Sequence, residues 1–403
     1  VVNFRLQRVA LVLLLLAGAA VWFALPYVDA AAFIVRAANL TDGLPGRVAA
    51  ARAHATTRVD LPPIVTRHGA VPARVYRPAR ASRAVLLVPG VHMDGIDETR
   101  LVAMAEDLAA SGYAVVTVAP PDLRLFRITP ANTDVIEDAA AWIASQPDLA
   151  PDGMVGMVGI SFSGGLSIVA AGRPALRDHV AFVMSFGGHG DLARVMRYLC
   201  SGSVPAPPPA ASIAGVVRGA DRLVMRPPHD YGVTVVLLTF ADRVVPADQV
   251  TALRDGIGIY LRASSLTLVD MKQAEAEFAR ARAYAGALPE PSRTLMTHVN
   301  ERAVDKLGPL LLPAVEQLAS TPAVRALSPE LVDPPRAPVF LLHGSEDTVI
   351  PPLETLYLAG HLRDRVPVRA LLSGLITHAE VDRSVAAGDV WELTRFWRDL
   401  MRY

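Results

Sequence analysis

Gly159-Ile160-Ser161-Phe162-Ser163-Gly164-Gly165 lies between an apolar run that reads as a buried strand, Met154 to Ile160, and a stretch that reads as a helix, Phe162 to Ala171. A serine on so sharp a strand-to-helix turn has its hydroxyl lifted clear of the sheet, placed to attack a carbonyl carbon. The turn tolerates only small residues two positions to either side. Gly159 meets that need before Ser161, and Ser163, backed by Gly164 and Gly165, stands where the second glycine of G-x-S-x-G falls. The same letters allow a second register, with Ser163 as nucleophile and Gly165 two residues later. Ser161 is preferred because it follows the apolar strand directly.

Two later stretches supply the other groups that activating a serine requires. His343-Gly344-Ser345-Glu346-Asp347-Thr348-Val349-Ile350-Pro351 follows an apolar run, Val339 to Leu342, and offers Asp347 as a carboxylate. His378 ends Ser373-Gly374-Leu375-Ile376-Thr377-His378 after the next such run, 31 residues beyond Asp347. Taken singly, an aspartate before Val-Ile-Pro is a turn former and a histidine after a strand is a solvated loop residue. Together, in the order Ser, Asp, His, each after its own strand, the set resembles the α/β-hydrolase family. The resemblance covers about 67–190 and 334–403. It implies Ser161 as nucleophile, His378 as the base that takes and returns its proton, and Asp347 as the carboxylate that orients the imidazole. It further implies an oxyanion hole built from the backbone N–H of Phe162 and that of Val91 or His92. These two lie in Pro89-Gly90-Val91-His92, at the place of the family's HG-type loop and with proline for its histidine.

A rival acid stands in Ala241-Asp242-Arg243-Val244-Val245-Pro246, an echo of the Asp347 motif, but it falls among helical patterns and reads as a turn or helix end. His361 reads as a helix residue, while His92 and His189 are near enough to the serine motif to line a site. No metal-ligand spacing and no phosphate-cradling glycine pattern occurs, so neither metal nor cofactor is expected. Cys200 is the only cysteine, which excludes an intramolecular disulfide and a cysteine-based zinc site.

The elements around these motifs alternate. β-type stretches at Ile64 to Arg67, Ala70 to Tyr76, Ala84 to Val88, Tyr113 to Val118 and Val180 to Phe186 are separated by helical patterns near Glu98 to Ser111 and Asn132 to Ser145. Continuous apolar strands alternating with helices predict a doubly wound, mostly parallel α/β sheet. The alternation breaks near Gly190. Periodic stretches at Val233 to Ala241, Val250 to Leu261, Leu268 to Ala285 and Leu310 to Leu318, with the Pro-rich loop Val204 to Pro209, predict an inserted helical cap. The sheet resumes at Val339, with a helix at Leu353 to Leu362, a strand at Val368 to Leu372 and a last helix from about Ser384 to Met401. The expected organisation is therefore 1–28 terminal apolar segment, 29–66 connector, 67–190 first part of the core, 191–333 cap and 334–403 second part of the core.

The apolar terminal segment, Val9 to Val28, is 20 residues without a charge, about 30 Å as a helix and enough for a bilayer core. Arg5 and Arg8 before it favour keeping that end in the cytoplasm and the rest outside. A cleaved signal peptide, cut after Ala30 or Ala32, is the competing reading. Of 403 residues, 52% are hydrophobic and 19% charged, which excludes disorder as the main state. Lys+Arg and Asp+Glu balance at 39 each, so no basic field exists for nucleic acid.

The expected activity is hydrolysis of esters or related acyl compounds, with a small, lipophilic acyl substrate and a membrane as partners. Within the family, Val85 to Gly90 and Gly112 to Val116 look most like the dienelactone-hydrolase branch, whose nucleophile is cysteine where this chain has serine. A serine peptidase, an acyltransferase and a catalytically inactive, membrane-tethered binding protein are the alternatives. Only about 40 residues lie between the apolar terminal segment and the first core strand, too few for the propeller that such peptidases usually carry.

Overall fold

The computed structural model describes residues 2–267, 269–376 and 387–403. Its centre is a sheet of nine strands: β1 Thr56–Thr66, β2 Gly69–Pro78, β3 Arg83–Val88, β4 Tyr113–Val118, β5 Val155–Ile160, β6 Val180–Phe186, β7 Val217–Arg218, β8 Val339–Gly344 and β9 Val368–Ser373. Their order is β1-β2-β4-β3-β5-β6-β8-β9-β7. β1 and β2 are antiparallel to their neighbours, and every pairing from β4 to β7 is parallel. Parallel pairing follows from the crossover helices, which return the chain to the same edge each time and bury both faces of the sheet.

The two faces carry separate cores. Ala84, Leu86 and Val88 of β3 join one cluster with Val135, Ile136, Leu166 and Ile168 of the helices Pro130–Ala144 and Phe162–Gly172. The intervening Val85 and Leu87 join the other, with Leu101 and Leu108 of the helix Thr99–Ala110 and Leu393, Phe396 and Trp397 of Ala387–Leu400. This period-two alternation is what a strand covered on both sides requires. The registers Val88↔Gly159, Ile160↔Phe186 and Phe186↔Leu342 bring the carboxyl ends of β3, β5, β6 and β8 level. The loops after these strands therefore share one edge.

Between β6 and β8 the chain is mainly helical, as its periodicity predicts, with principal helices Leu192–Ser201, Asp230–Val244, Val250–Leu266, Met271–Ala287, Ser292–Asn300 and Val304–Ala319. One short piece departs from that pattern: β7 adds to β9 through Val217↔Ala370 and closes the edge of the sheet. Two residues are too few for a periodic signal. β1 also begins well before Ile64, because its first five residues are exposed and carry no apolar alternation.

The first helix runs Val2–Ala37, continues through Pro26 and extends well beyond residue 28. Gly18–Ala37, with mean hydropathy 1.6, is long and apolar enough to cross a membrane. Its last ten residues pack on the protein. Ala30 and Phe33 are buried among Leu108, Phe396 and Trp397, with the rings of Phe33 and Trp397 4.2 Å apart. Tyr27 stacks on Trp391 at 5.2 Å, and its hydroxyl accepts from Arg398 at 2.5 Å. Burying Phe33 is worth about 2 kcal/mol, so the core holds the last ten residues of this helix.

Candidate active site

Ser161 sits between β5 and the helix Phe162–Gly172 with φ +56° and ψ −135°. A non-glycine residue held there is strained, by of order 1–3 kcal/mol, and the neighbours must hold it. They do so by close approach of backbone. A Cβ on Gly159 would lie 2.2 Å from the Ser163 carbonyl oxygen, so no larger residue fits that turn. The Ser161 amide donates to the Phe186 carbonyl at 2.7 Å, and its carbonyl accepts from Gly164 at 2.8 Å. Ser163 is fully buried and its hydroxyl donates to the Pro89 carbonyl at 2.5 Å. That bond ties the turn to the loop after β3; Ser161 is half-buried at the edge, while Ser163 is sealed beneath it.

The loop Pro89-Gly90-Val91-His92 passes directly over the turn. A Cβ on Gly90 would lie 3.4 Å from the Ser161 Cβ. Phe162, as the first helical residue, has no intrahelical acceptor for its amide. Among the described residues, no backbone acceptor is found for the amides of Val91 and His92 either. The Val91 carbonyl accepts from the Tyr231 hydroxyl at 3.1 Å. Because the peptide is planar and trans, that bond fixes the plane of the Val91–His92 unit and turns the His92 N–H away from Tyr231. The His92 Nδ1 accepts from the Asp94 amide at 3.3 Å, and burial lowers the pKa of its imidazole below the ordinary value.

Asp347 lies in the loop after β8, nearly buried. Its Oδ1 accepts from the amides of Val349 at 2.8 Å and Ile350 at 3.1 Å, a local turn that fixes the direction of the carboxylate. Its Oδ2 is 3.5 Å from Nε2 of the fully buried His343. Both His343 nitrogens are engaged, Nδ1 with the Thr355 hydroxyl at 2.7 Å and Nε2 with the Ile350 carbonyl at 3.0 Å, so it serves as a fixed support under the turn. Gly187, after β6, has φ +64°, and a Cβ there would lie 3.5 Å from the Asp347 Oδ2. The loops bearing Ser161, Gly187 and Asp347 thus converge. His378, expected to complete the set, lies outside the described residues. The rival Asp242 is exposed near the end of Asp230–Val244 and pairs with Arg254 at 3.2 Å.

Segment 224–231 touches two of these loops at once. Val224 N donates to Ser345 O at 3.0 Å and His229 N to Thr348 O at 2.9 Å. Arg226 pairs with Glu346 at 2.7 Å, and the Tyr198 hydroxyl donates to the Arg226 carbonyl at 2.9 Å. With Tyr231 on Val91, this strap joins the acid loop to the loop after β3. Nothing in the sequence marks Tyr198, Tyr231 or His343 for such roles, because each depends on a partner that is 7 to 150 residues away.

His189, the other histidine expected nearby, is fully buried under the serine turn. Its Nε2 donates to the Leu327 carbonyl at 2.9 Å, and burial lowers its pKa to about 4. It is a neutral packing residue, tilted against Phe162 at 5.7 Å. Behind the site, Glu354 accepts from the amides of Gly190 at 2.9 Å and Asp191 at 3.0 Å and from Arg194 Nε at 2.6 Å. That buried cluster fastens the loop after β6 to the helix Leu353–Leu362.

Antiparallel β1 and β2, six further parallel strands in the order β4-β3-β5-β6-β8-β9, a strained serine after β5 and an acid turn after β8 decide the architecture. The chain folds as an α/β-hydrolase. No protein-family model matches it, and no curated protein matches its sequence. Among solved structures, it is similar to a hyperthermophilic esterase from the archaeon Pyrobaculum calidifontis, at 16% identity and TM-score 0.42, over 93% of this chain and 92% of that one. It is similar to brefeldin A esterase, a bacterial homologue of human hormone-sensitive lipase, at 15% identity and TM-score 0.43, over 93% and 81%. A third similarity is to dienelactone hydrolase from Anabaena variabilis, at 14% identity and TM-score 0.38, over 87% and 99%.

Proposed function

We propose that this α/β-hydrolase is a serine hydrolase cleaving carboxylic ester or related acyl bonds. The observation that carries the reading is Ser161, held at positive φ on the catalytic edge and overhung by the Gly90 loop. Its Oγ attacks the substrate carbonyl carbon while His378 takes the hydroxyl proton, and Asp347 orients and stabilises the imidazolium. The carbonyl oxygen becomes an oxyanion held by the amide of Phe162 and that of Val91 or His92. Return of the proton to the leaving alcohol gives an acyl-enzyme, which water then cleaves by the same steps in reverse. A fluorophosphonate is expected to label Ser161 covalently. Labelling should vanish in Ser161→Ala and survive in Ser163→Ala, read by mass spectrometry of the labelled peptide. Labelling of Ser163 instead would move the nucleophile, and no labelling of folded protein would favour an inactive binding protein.

The same reading makes the first helix a membrane anchor with the catalytic domain outside the cytoplasm. A signal cut after Ala30 or Ala32 would remove Tyr27 and Ala30 from their packing on Trp391 and the second core. The packed end of the helix favours retention. Full-length protein is expected to float with membranes, and a soluble form beginning near Ala31 or Phe33 would sink this part.

A further inference from the structure

The direction in which the first helix leaves the domain is fixed by four contacts. The helix Thr99–Ala110 precedes β4 and ends at the amino edge of the parallel strands, where Ser82 N donates to Gly112 O at 2.7 Å. Arg36 donates to Ser111 Oγ at 2.6 Å and lies 3.6 Å from Asp107, so the end of the first helix is at that amino edge. The helix Ala387–Leu400 follows β9 and descends from the catalytic edge, its Asp399 reaching Arg369 at the start of β9. Along it, Phe33 meets Trp397 and Tyr27 meets Trp391. Going from Arg36 to Tyr27, the first helix therefore climbs from the amino edge to the catalytic edge. Beyond Tyr27 it leaves the protein on that side, with Trp22 and Phe23 more than 70% exposed.

The exposed surface agrees with this direction. The catalytic edge presents Leu125, in the loop after β4, Val224 and Met225 beside Ser345, and Val390 and Trp391 at the start of the last helix, all exposed. Exposed side chains on the loops of the amino edge include Arg80, Asp148, Asp152, Asp178, Arg336 and Arg365. Leu40, on the turn after the first helix, and Leu44 and Val48, on the helix Gly43–Ala51 that follows, are exposed large apolar residues near that end. Tryptophan and tyrosine favour the boundary between lipid and water; Tyr27 stacks on Trp391 there, and exposed Trp22 lies about 7.5 Å further along the helix.

We propose that the catalytic edge faces the bilayer holding the first helix, and that the substrate is an amphiphilic ester drawn from that bilayer. This rests on the hydrolase and anchor readings above. A carbonyl at lipid headgroup depth meets Ser161 without its acyl chain crossing water, whereas an ester delivered from solution would have to pass between the domain and the membrane.

The test uses full-length protein in phosphatidylcholine vesicles. A fluorophore is attached at Leu125→Cys on the catalytic edge or Asp152→Cys on the amino edge, and quenched by nitroxides on lipid headgroups. Strong quenching at position 125 and little at 152 is expected. The reverse, or equal quenching at both, would overturn the orientation. In unlabelled protein, Leu125→Asp should lower hydrolysis of a long-chain umbelliferyl ester dissolved in the vesicles at least fivefold and leave a short-chain soluble ester unchanged. Equal effects on the two esters would overturn the lipid source of substrate. Protein recovered free of vesicles would instead sink the anchor reading. Turnover unaffected by Ser161→Ala would sink the hydrolase reading, with the quenching pattern still deciding the orientation.

Discussion

The serine turn and the acid loop are held by opposite means. Ser161 is positioned from within the sheet: Gly159, Ser163 and Gly164 pack backbone against backbone, and Ser163 bonds to Pro89 beneath it. Asp347 and the Val91 carbonyl are also held from outside, by a strap from the segment between β6 and β8 that donates to Ser345, Thr348 and Val91. The geometry of Ser161 is thus a property of the sheet, while that of the acid loop and of the loop after β3 is shared with the helical segment. Removing a reacting group from either should all but abolish the chemistry, whereas loosening the strap should only detune it.

The largest effect expected is at the acid itself. Asp347→Asn should lower kcat on an activated ester by about 10⁴-fold, as for triad acids generally, with folding checked by circular dichroism. Asp242→Asn should leave kcat unchanged. Collapse in the second and normal turnover in the first would reverse the assignment of the acid. Next comes Gly159→Ala, whose methyl must displace the Ser163 carbonyl. Misplacing the nucleophile by about an ångström should cost roughly a hundredfold in kcat, and a fully active variant would show that the turn has slack. Tyr231→Phe tests the strap. Leaving the Val91 carbonyl unpaired costs about 1–3 kcal/mol, and if the oxyanion loop depends on it kcat should fall roughly tenfold with KM held. Lost thermal stability with kcat intact would reduce Tyr231 to a packing role.

The last expected effect is on stability rather than turnover and concerns the support under the serine turn. The His189 imidazole has its folded pKa depressed to about 4 by burial, from an ordinary 6.5. Between these values the unfolded chain binds the proton and the folded one does not. The stability it contributes is therefore whole above pH 6.5 and declines as pH falls toward 4, by about 3 kcal/mol at most. Urea midpoints taken across that window should fall for the native protein and flatten for His189→Gln. A parallel fall in both would place the acid sensitivity elsewhere.

How much of this was legible in the sequence depended on whether a residue's role is local. β4, β6 and the helix Leu353–Leu362 run over the residues that their apolar patterns predict, because an element buried in the core carries its own signature. That Ser161 and Asp347 stand on tight turns at strand ends was legible, because such turns need particular small or polar residues nearby. The preference for Ser161 over Ser163 also came from the sequence, whereas the bond that buries Ser163 against Pro89, 74 residues away, did not. β7, the helix Ser292–Asn300 and the early part of β1 escaped for another reason: each is short or half-exposed, and its stability comes from neighbours rather than from its own period. The strap escaped because a tyrosine that bonds a distant carbonyl looks like any other core aromatic.

One continuous helix carries both the exposed apolar stretch through Leu25 and the packed residues Ala30 and Phe33, with no loop between them. Its length therefore acts as a phase. Each residue inserted or removed between them turns one part against the other by about 100° and shifts it by about 1.5 Å. A single deletion near Pro26 would swing the apolar stretch to a different side of the domain, while a change of seven residues would nearly restore its heading. Related chains should accordingly vary in length here in steps of three, four or seven, and seldom by one.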